Sequence, residues 1–465
     1  MPLTRKSQVA ALIEVIPGVE QTVPAPAGAD VVEVLETEFT QSRSMIERQP
    51  ADPSLSGVVE GIGRGDAGMR FACDLRGSGT ATTAPDWTKL VLACYHRTLD
   101  VKNLVLNSGS TEAVFPGDKL SGATATARVA KYAAAGSTTI KVCQVTGTFT
   151  AGAPGESIVS QQQGTIGTCL TAPGAATGIE WAPYSERTMS GKMTAGGWDT
   201  DPAVGEGIVF KNTVGQVIGG GWVVIADAAE ICTFELGWGT VILSGTLTSS
   251  TGKVATFHAS PVFTNVAGPS LTMLMNRDKF RRGLIGARGN FRFEVEAGGI
   301  GRMSFEYKGR IRMPDDTAFL SGAALSTVVP PRLQGGYFSI DGAQVPVKSI
   351  AFDAGVTTIM RADGNSTEGD WAAEITGRDP TFTFTIDQVP LAQLDLHTKW
   401  RDGTLINIGL GMGTTAGNSM AFFAVSAQIT EISDGDAEGI PTFQVTTKLR
   451  RVAAAGDDEY HLIQS

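Results

Sequence analysis

Hydrophobic and polar residues alternate most regularly between Arg282 and Arg312, on both sides of a glycine-rich segment. Alternation with a period of two is typical of a β-strand with one buried face and one solvated face. The pattern predicts a long β-hairpin whose loop is Ala297–Gly301. Its buried face is expected to contain the apolar residues Phe291, Phe293, Val295, Met303, Phe305 and Tyr307.

That loop also predicts which residues of the two strands face each other. Apolar pairs are expected on one face: Val295–Met303, Phe293–Phe305 and Phe291–Tyr307. Ion pairs are expected on the other face: Glu296–Arg302 and Arg292–Glu306. Because apolar and opposite-charge pairs fall into place together, this register is favoured. Each apolar side chain gains roughly 2 kcal/mol on full burial, so another layer of the protein must cover that face.

Other stretches predict further strands and a single longer helix. Val31–Phe39 reads as a strand, and Thr40–Leu55 reads as a long polar loop of the kind that is usually functional or at an interface. A short helical run is expected at Trp87–Tyr95. Several strands follow the hairpin, and Asp387–Trp400 is the best helix candidate, with Asp387 as its cap.

The two ends of the chain have little core of their own. Residues 1–30 predict a helical turn or a short strand, followed by the linker VPAPAGA. The last residues predict a short apolar strand. We expect residues 1–30 to form an arm, and both ends to pack on a neighbouring subunit.

A block rich in Gly, Thr, Ser and Ala separates the first strands from the hairpin. Within it, Gly155-Glu156 and Gly205-Glu206 each precede a similar short apolar run. The sequence therefore divides into an arm (1–30), a β domain in two parts (31–98 and 266–465), and one or two inserted all-β modules (99–265).

Composition narrows the class of function. The chain has a formal net charge of −10, whereas tight phosphate binding requires a basic surface. Its 5 cysteines are widely spaced, which favours free thiols over disulfides or a zinc site. No apolar run is long enough for a membrane-spanning helix, and the N-terminus does not resemble a signal peptide.

Two motifs have ordinary explanations. Residues 63–68 match GxGxxG, but Met69–Leu75 reads as a strand where a dinucleotide site requires a helix, so a β-turn is expected. Residues 434–439 resemble the start of a calcium loop, but Val445 stands where the bidentate acid should be, so a solvated turn is expected. No catalytic, cofactor or metal constellation is present, and we expect no enzymatic activity.

Several segments, in this order, resemble the major tail tube protein of long-tailed bacteriophages. They are LTRKSQVAALIEVIPG, DVVEVLETEF, RGSGTATTAP, ARGNF with EAGGIGRMSFEYKG, ITGRDPTFTFTID and the acidic GDDEY near the end. The resemblance covers residues 1–98 and 265–465. The block between them departs from the compact family pattern and looks like a small decoration on the outer surface.

The resemblance implies an antiparallel β-sandwich with one flanking helix. It implies rings, six copies each, that stack into a virion tail tube through which double-stranded DNA passes. Expected partners are further copies of the chain and the tail tip, tail terminator and tape measure proteins, after assembly in the host cytoplasm. Lumen or interface candidates are Arg292, Glu294, Glu296, Arg302 and Glu306. Ring-stacking candidates are Arg43, Glu47, Arg48 and Asp52.

Other functional classes stay open at this point. A tail terminator, a sheath-like protein or a capsid decoration protein would share the β-rich composition. A secreted adhesin would fit the Gly/Thr-rich block but not the N-terminus, which lacks a signal peptide.

Overall fold

The computed structural model describes residues 7–14, 17–22, 25–46, 60–153, 155–184, 269–323, 326–364, 366–453 and 456–465, together with the backbone of the strands between 188 and 265. It is mostly β-structure with two short α-helices. This confirms the expected fold class, an antiparallel β fold with a flanking helix.

Eleven strands and one helix precede residue 184. They are β1 (Ser7–Ile13), β2 (Val31–Val32), β3 (Glu36–Ile46), β4 (Gly61–Asp74), α1 (Thr88–Leu92), β5 (His96–Leu106), β6 (Lys119–Ser121), β7 (Thr126–Val129), β8 (Thr139–Thr146), β9 (Ser157–Ser160), β10 (Gly164–Thr171) and β11 (Ala176–Pro183). A separate sheet follows: β12 (Thr188–Lys192), β13 (Gly207–Lys211), β14 (Val217–Ala226), β15 (Ile231–Gly239), β16 (Gly245–Ser249), β17 (Val254–Phe257) and β18 (Val262–Asn265).

The remaining elements return to the main structure. They are β19 (Leu271–Arg277), β20 (Phe280–Glu296), β21 (Arg302–Asp315), β22 (Tyr337–Ile340), β23 (Ala343–Gln344), β24 (Val347–Asp353), β25 (Val356–Ala362), β26 (Asp370–Arg378), β27 (Thr381–Asp387), α2 (Leu396–Asp402), β28 (Leu405–Met412), β29 (Met420–Ala437), β30 (Ile440–Leu449) and β31 (His461–Gln464).

Two sheets pack face to face around the main core. The front sheet has the strand order β3-β4-β21-β20-β24-β27-β30-β29. The back sheet has the order β22-β28-β29-β31-β11-β5. The long strand β29 belongs to both sheets, because its first half pairs with β28 and β31 and its second half with β30. Aromatic rings fill the space between, including Phe382 stacked on Phe422 at 5.0 Å.

The central hairpin exists, but its predicted register is wrong by two residues. Phe291 faces Phe305, Phe293 faces Met303 and Glu294 faces Arg302. A shift of two keeps every side chain on its predicted face, so the alternation alone cannot exclude it. Other contacts determine the register at the tip of the hairpin. Val295 pairs with Ile350 of β24, and Ala297 and Ile300 form bridges to residues 332–333.

The strand β20 changes its partner along its length. Its first half pairs with β19 and its second half with β24, while β21 runs along the opposite side. The change occurs at a bulge around Gly286, whose φ of +66° is a conformation that favours glycine. This bulge lets one strand take part in two differently oriented parts of the fold.

The first part of the predicted insertion is a closed barrel. Strands β5, β8, β7, β6, β9 and β10 pair in a ring that returns to β5. An apolar core that includes Leu104, Ile140 and Ile166 fills it. The boundary predicted at residue 99 cuts through β5, however, and β11 lies in the back sheet with Trp181 packed 4.6 Å from Trp87 of the main core.

The second part of the predicted insertion is a sheet of its own. Its seven strands, β12 to β18, have the order β17-β16-β13-β14-β15-β12-β18, and every pairing is antiparallel. None of them pairs with the main sheet among the strands that the structure describes. The block therefore contains two distinct β structures in sequence.

Both ends of the chain lie in the chain's own sheets, which corrects the expectation of arms that pack on a neighbour. The N-terminal segment is a strand, β1, which pairs with β19 over seven residues and buries Val9 to Leu12. The C-terminal strand β31 lies between β29 and β11. Short apolar segments at chain ends satisfy their backbone groups in an existing sheet as readily as in a partner.

The flanking helix is shorter than predicted. Asp387 ends β27, where it pairs with Thr442 and lies 3.1 Å from the Lys348 ammonium, so it does not cap a helix. The chain then turns at Pro390, and α2 begins at Leu396 with Asp395 accepting a hydrogen bond from the Thr398 amide at 2.9 Å. Gly403, in a left-handed conformation, ends it.

Candidate functional site

The outer side of the front sheet presents the polar residues of the hairpin to solvent. Along β20 the side chains of Phe291, Phe293 and Val295 are buried, while Arg292, Glu294 and Glu296 between them are exposed. Strand β21 continues the pattern with Arg302 and Glu306. The outward side chains of β3, β4, β20 and β21 form a surface that we call the charged face. Its charged residues are Glu36, Glu38, Arg70, Asp74, Arg292, Glu294, Glu296, Arg302, Glu306 and Lys308.

Ion pairs join the strands of this face to one another and to β24. Arg292 contacts Asp353 of β24 at 2.8 Å, and Arg302 contacts Glu36 of β3 at 2.9 Å. A third pair joins Arg70 of β4 to Glu306 at 2.7 Å. The predicted pairs Glu296–Arg302 and Arg292–Glu306 are therefore wrong. The two-residue change of register moved their partners apart, and Arg292, Arg302 and Glu306 pair instead with residues of other strands.

Negative charge remains after these pairs are counted. In the described part of the chain, Glu38, Glu294 and Glu296 have no cation within 4.0 Å. All three are exposed. Exposed pairs contribute little to stability, so this arrangement is better understood as a surface field than as a device that stabilises the fold.

The front sheet continues beyond the charged face as a neutral surface. Outward positions on β24, β27 and β30 hold mainly hydroxyl and amide side chains: Ser349, Thr381, Thr383, Thr385, Gln444 and Thr446. Two charged residues lie among them, and both are paired: Lys448 with Asp379, and Asp387 with Lys348. Thr383 and Thr446 lie opposite each other on neighbouring strands. The outer surface of the sheet thus has an excess of acids on one half, and on the other half it is mainly hydroxyl-bearing with its charges paired.

The predicted ring-stacking residues are only partly visible. Arg43 lies on β3 rather than in a loop, and its guanidinium contacts Glu368 at 2.5 Å. Glu47, Arg48 and Asp52 lie outside the described residues. Near the end of this hairpin Met45, Ile46 and Ile62 expose more than half of their surface. Strands β3 and β4 therefore extend past the front sheet as a projecting pair of strands, with apolar side chains exposed on the last residues that the structure describes.

A second hairpin braces the first. Arg64 of β4 pairs with Asp370 at the start of β26, and the Gly65 amide donates to the Glu368 carbonyl at 3.3 Å. At the base of β25–β26, the buried Arg288 guanidinium donates to the Ala373 carbonyl at 2.6 Å. These contacts hold the projecting β3–β4 hairpin in one orientation.

Buried polar groups inside the sandwich were not identified from sequence. Glu14 is fully buried and accepts hydrogen bonds from Ser270, Thr272 and the amides of Gly18 and Gly286 at 2.6–2.9 Å. Burial raises the pKa of this carboxyl, and the four hydrogen bonds oppose the shift. The sequence offered one signal for this site, which is that Glu14 lies in an apolar segment. An acid buried among apolar residues needs hydrogen-bond donors around it.

Two histidines are also buried. His96 lies between the Cys94 carbonyl and the Tyr460 hydroxyl, at 2.9 and 2.7 Å, and burial lowers its pKa to about 3. His461 lies 2.6 Å from Glu180, and the Gln144 amide approaches its other ring nitrogen at 2.9 Å. Nothing in the spacing of the four histidines along the sequence indicated these contacts.

The remaining motifs have structural roles. Residues 63–68 lie inside β4, so the β-turn expected there is wrong, and a phosphate-binding loop is excluded. The expected turn near Asp434 is found at Glu438 and Gly439, which close the β29–β30 hairpin with positive φ angles. Among the described residues, no three His, Cys, Asp or Glu side chains are arranged to hold a metal ion.

The described cysteines are buried free thiols: Cys73, Cys94, Cys143 and Cys169. Burial raises the pKa of Cys94 to about 12, so this thiol is a poor nucleophile at neutral pH. None of the helices in the described part of the chain has the length and apolarity needed to cross a bilayer.

Comparison with protein-family models and curated proteins identifies no relative of this chain. No protein-family model matches the sequence, and no curated protein matches it significantly. The functional interpretation therefore depends on the residues and geometry described above.

Proposed function

We propose that this protein is the major subunit of a bacteriophage tail tube. Copies of the chain, six to a ring, form rings that stack into a hollow cylinder, and double-stranded DNA passes along its lumen. The observation that carries the proposal is the front sheet. One of its faces is acidic and exposed to solvent, and in the described part of the chain the strand at each side of the sheet has one edge without a strand partner. The resemblance of the hairpin and flanking segments to tail tube proteins supports the same conclusion.

The unpaired strands suit closure into a ring. In the described part of the chain, β3 pairs only with β4, and β29 beyond Gln428 pairs only with β30. Exposed sheet edges tend to pair with other chains. If β3 of one copy lies beside β29 of the next, a repeated heterologous contact closes the sheet and removes both edges.

The charged face suits a lumen through which DNA moves. Two negative surfaces repel each other, so the uncompensated Glu38, Glu294 and Glu296 disfavour adhesion of the phosphate backbone. On β24, β27 and β30 the cations are Lys348 and Lys448, and each is paired with an acid, so these strands add no uncompensated positive charge that would hold DNA. A conduit of this kind conducts the polymer without binding it.

The barrel lies on the opposite side of the sandwich from the charged face. Alternate residues of β29 show this: Phe422 points into the main core, whereas Phe423 packs with Ile463 and the barrel residue Cys143. With the charged face toward the lumen, the barrel projects outward. This arrangement supports the proposal that the barrel decorates the outside of the tube.

The projecting β3–β4 hairpin is proposed to contact the next ring. Its exposed Met45, Ile46 and Ile62 supply apolar surface beyond the edge of the sheet. In the virion the tube would also contact the tail tip, tail terminator and tape measure proteins. We propose assembly in the host cytoplasm and residence in the virion tail, with no cofactor and no catalysis.

Negative-stain electron microscopy of the purified protein tests this function. Long hollow cylinders of uniform diameter are expected, at physiological salt and with rising protein concentration. Single rings that never stack would favour a tail terminator instead. A protein that stays monomeric at all concentrations, including after addition of cylinders as seeds, would contradict the tube proposal.

A further inference from the structure

We infer that neighbouring copies in the ring are joined by opposite charges, with an acidic hairpin end of one copy seated on a basic patch of the next. The hairpin end is the tip of β29–β30, and the basic patch lies at the β19–β20 turn beside β3. This inference rests on the proposed function, because it assigns the surfaces through which the copies would meet.

The tip of β29–β30 carries an excess of negative charge. Glu431, Asp434, Asp436 and Glu438 lie within eight consecutive residues, and all four are exposed. In the described part of the chain none of them forms an ion pair; Asp436 accepts only the Gly439 amide at 2.9 Å. In the described part of the chain this half of β29 has no strand on its other side; α2 covers only its start, where the Trp400 indole donates to the Thr430 carbonyl at 3.3 Å. The negative charge and an open strand edge therefore occur together toward the tip.

The basic patch consists of Arg277, Lys279 and Arg282. The Arg277 guanidinium donates to the Thr37 carbonyl of β3 at 3.2 Å, and Arg282 lies 4.5 Å over the Phe39 ring. Both contacts place these cations against the edge strand β3. No carboxylate lies within 4.0 Å of the three cations among the described residues.

The guanidiniums of the patch also repel each other. Burial, together with the nearby charge of Arg277, lowers the pKa of Arg282. Among the described residues neither guanidinium has a carboxylate within 4.0 Å. Asp278 lies in the same turn but makes no ion pair with them. An incoming carboxylate from outside the chain would relieve this repulsion.

A second copy of this chain is the partner that fits both surfaces. The acidic tip and the basic patch lie at opposite edges of the same front sheet, so one copy cannot bring its own two surfaces together. A heterologous ring contact, repeated at every interface, places each acidic tip beside the next basic patch. Exposed Ile440 at the tip and exposed Phe280 at the turn add apolar contact.

Paired charge reversals test the inference. Variant one carries Glu431→Lys and Asp434→Lys, and variant two carries Arg277→Glu and Lys279→Glu. Each alone places like charges at every interface, so the concentration needed for ring formation should rise at least about tenfold. An equimolar mixture should assemble again, because alternating copies restore opposite charges at each contact. Glu112→Lys with Lys102→Glu, on the barrel, serves as the control.

The outcomes separate this inference from the proposed function. Wild-type tubes, together with reversals that assemble alone as wild type does, would overturn the inference and leave the tube intact. A mixture that assembles no better than its components would also overturn it. Absence of any wild-type assembly would overturn both. Circular dichroism shows whether a charge reversal unfolds the monomer. In that case Gln replaces the same residues, and each Gln variant must still assemble less well than wild type.

Discussion

The N-terminal strand and the central hairpin differ in how their residues are buried. In β1, four consecutive residues from Val9 to Leu12 are buried, because the strand is covered on both faces. In β20, burial alternates from Asn290 to Glu296, so one face is covered and the other is not. A strand that is covered on both faces is part of the core and stabilises the monomer. A strand with an uncovered charged face leaves a surface that other molecules can meet.

This difference changes which parts of the chain are candidates for assembly. Chain ends with short apolar segments suggested arms that pack on neighbouring subunits. In the structure those segments stabilise the monomer, and the surfaces left free are the charged face, the two sheet edges and the β3–β4 hairpin. Variants in the first group should therefore affect folding, and variants in the second should affect assembly.

Deletion of residues 1–20 should have the largest effect. It removes β1 from its position beside β19 and exposes apolar residues that each contribute about 1.5–3 kcal/mol when fully buried. We expect loss of the cooperative thermal transition, measured by circular dichroism. Deletion of residues 1–6, which lie before β1, is the control and should leave the transition in place. A folded monomer that merely fails to form tubes would show that this segment is an assembly arm after all.

Replacement of the buried carboxylate that follows β1 should have a smaller effect. Glu14→Ala leaves four donors without their acceptor, and we expect a loss of about 3 kcal/mol in the free energy of unfolding. Glu14→Gln retains one acceptor oxygen and should cost less. Urea denaturation measures both variants. Equal stability of Glu14→Ala and wild type would mean that this site does not hold β1 to β19 and β20.

Acid should destabilise the core through His96. Its pKa is about 3 in the folded protein against 6.5 for an ordinary histidine, so below pH 6.5 the unfolded chain binds a proton that the folded chain does not. Stability from this group is complete above pH 6.5 and falls by up to about 1.4 kcal/mol per pH unit as pH decreases toward 3.

The variant His96→Gln sharpens this test. It should be less stable than wild type at pH 7.5 but lose less stability between pH 6 and pH 4, as followed by the midpoint of urea denaturation. His397→Gln, on the exposed side of α2, controls for the loss of a histidine. Parallel pH profiles for wild type and His96→Gln would assign the acid sensitivity to other groups.

Changes on the charged face should leave stability almost untouched. Glu294→Gln with Glu296→Gln alters exposed residues without ion-pair partners, so the free energy of unfolding should change by no more than about 0.5 kcal/mol. Retention of DNA by assembled tubes at low salt should rise, because repulsion from the lumen is weaker. Lys102→Gln on the barrel side is the matched control. A large loss of stability would mean that this face is part of the core.

The sequence predicted secondary structure and burial best for strands with one solvent-exposed face and one buried face. The alternation in the hairpin identified β20 and β21 and the side chains that point inward. It could not determine the register of the hairpin, because a shift of two residues preserves both faces. Contacts from residues 332–333 and from β24, distant in sequence, select the observed pairing.

Local signals failed where tertiary contacts outweigh them. Asp387 and Pro390 are a reasonable start for a helix, but Asp387 is held in β27 by β30 and Lys348, and the helix begins at Leu396. The boundary at residue 99 failed because β5 serves two structures at once, the barrel and the back sheet. The buried sites of Glu14 and His96 depend on residues hundreds of positions away.

Electron cryo-microscopy of the assembled protein tests the proposed orientation most directly. A reconstruction should show the strands β20 and β21 lining a central channel, with Arg292, Glu294 and Arg302 toward its axis and the barrel of residues 104–171 at the outer surface. A channel lined by the barrel, or a charged face on the outside of the cylinder, would contradict it.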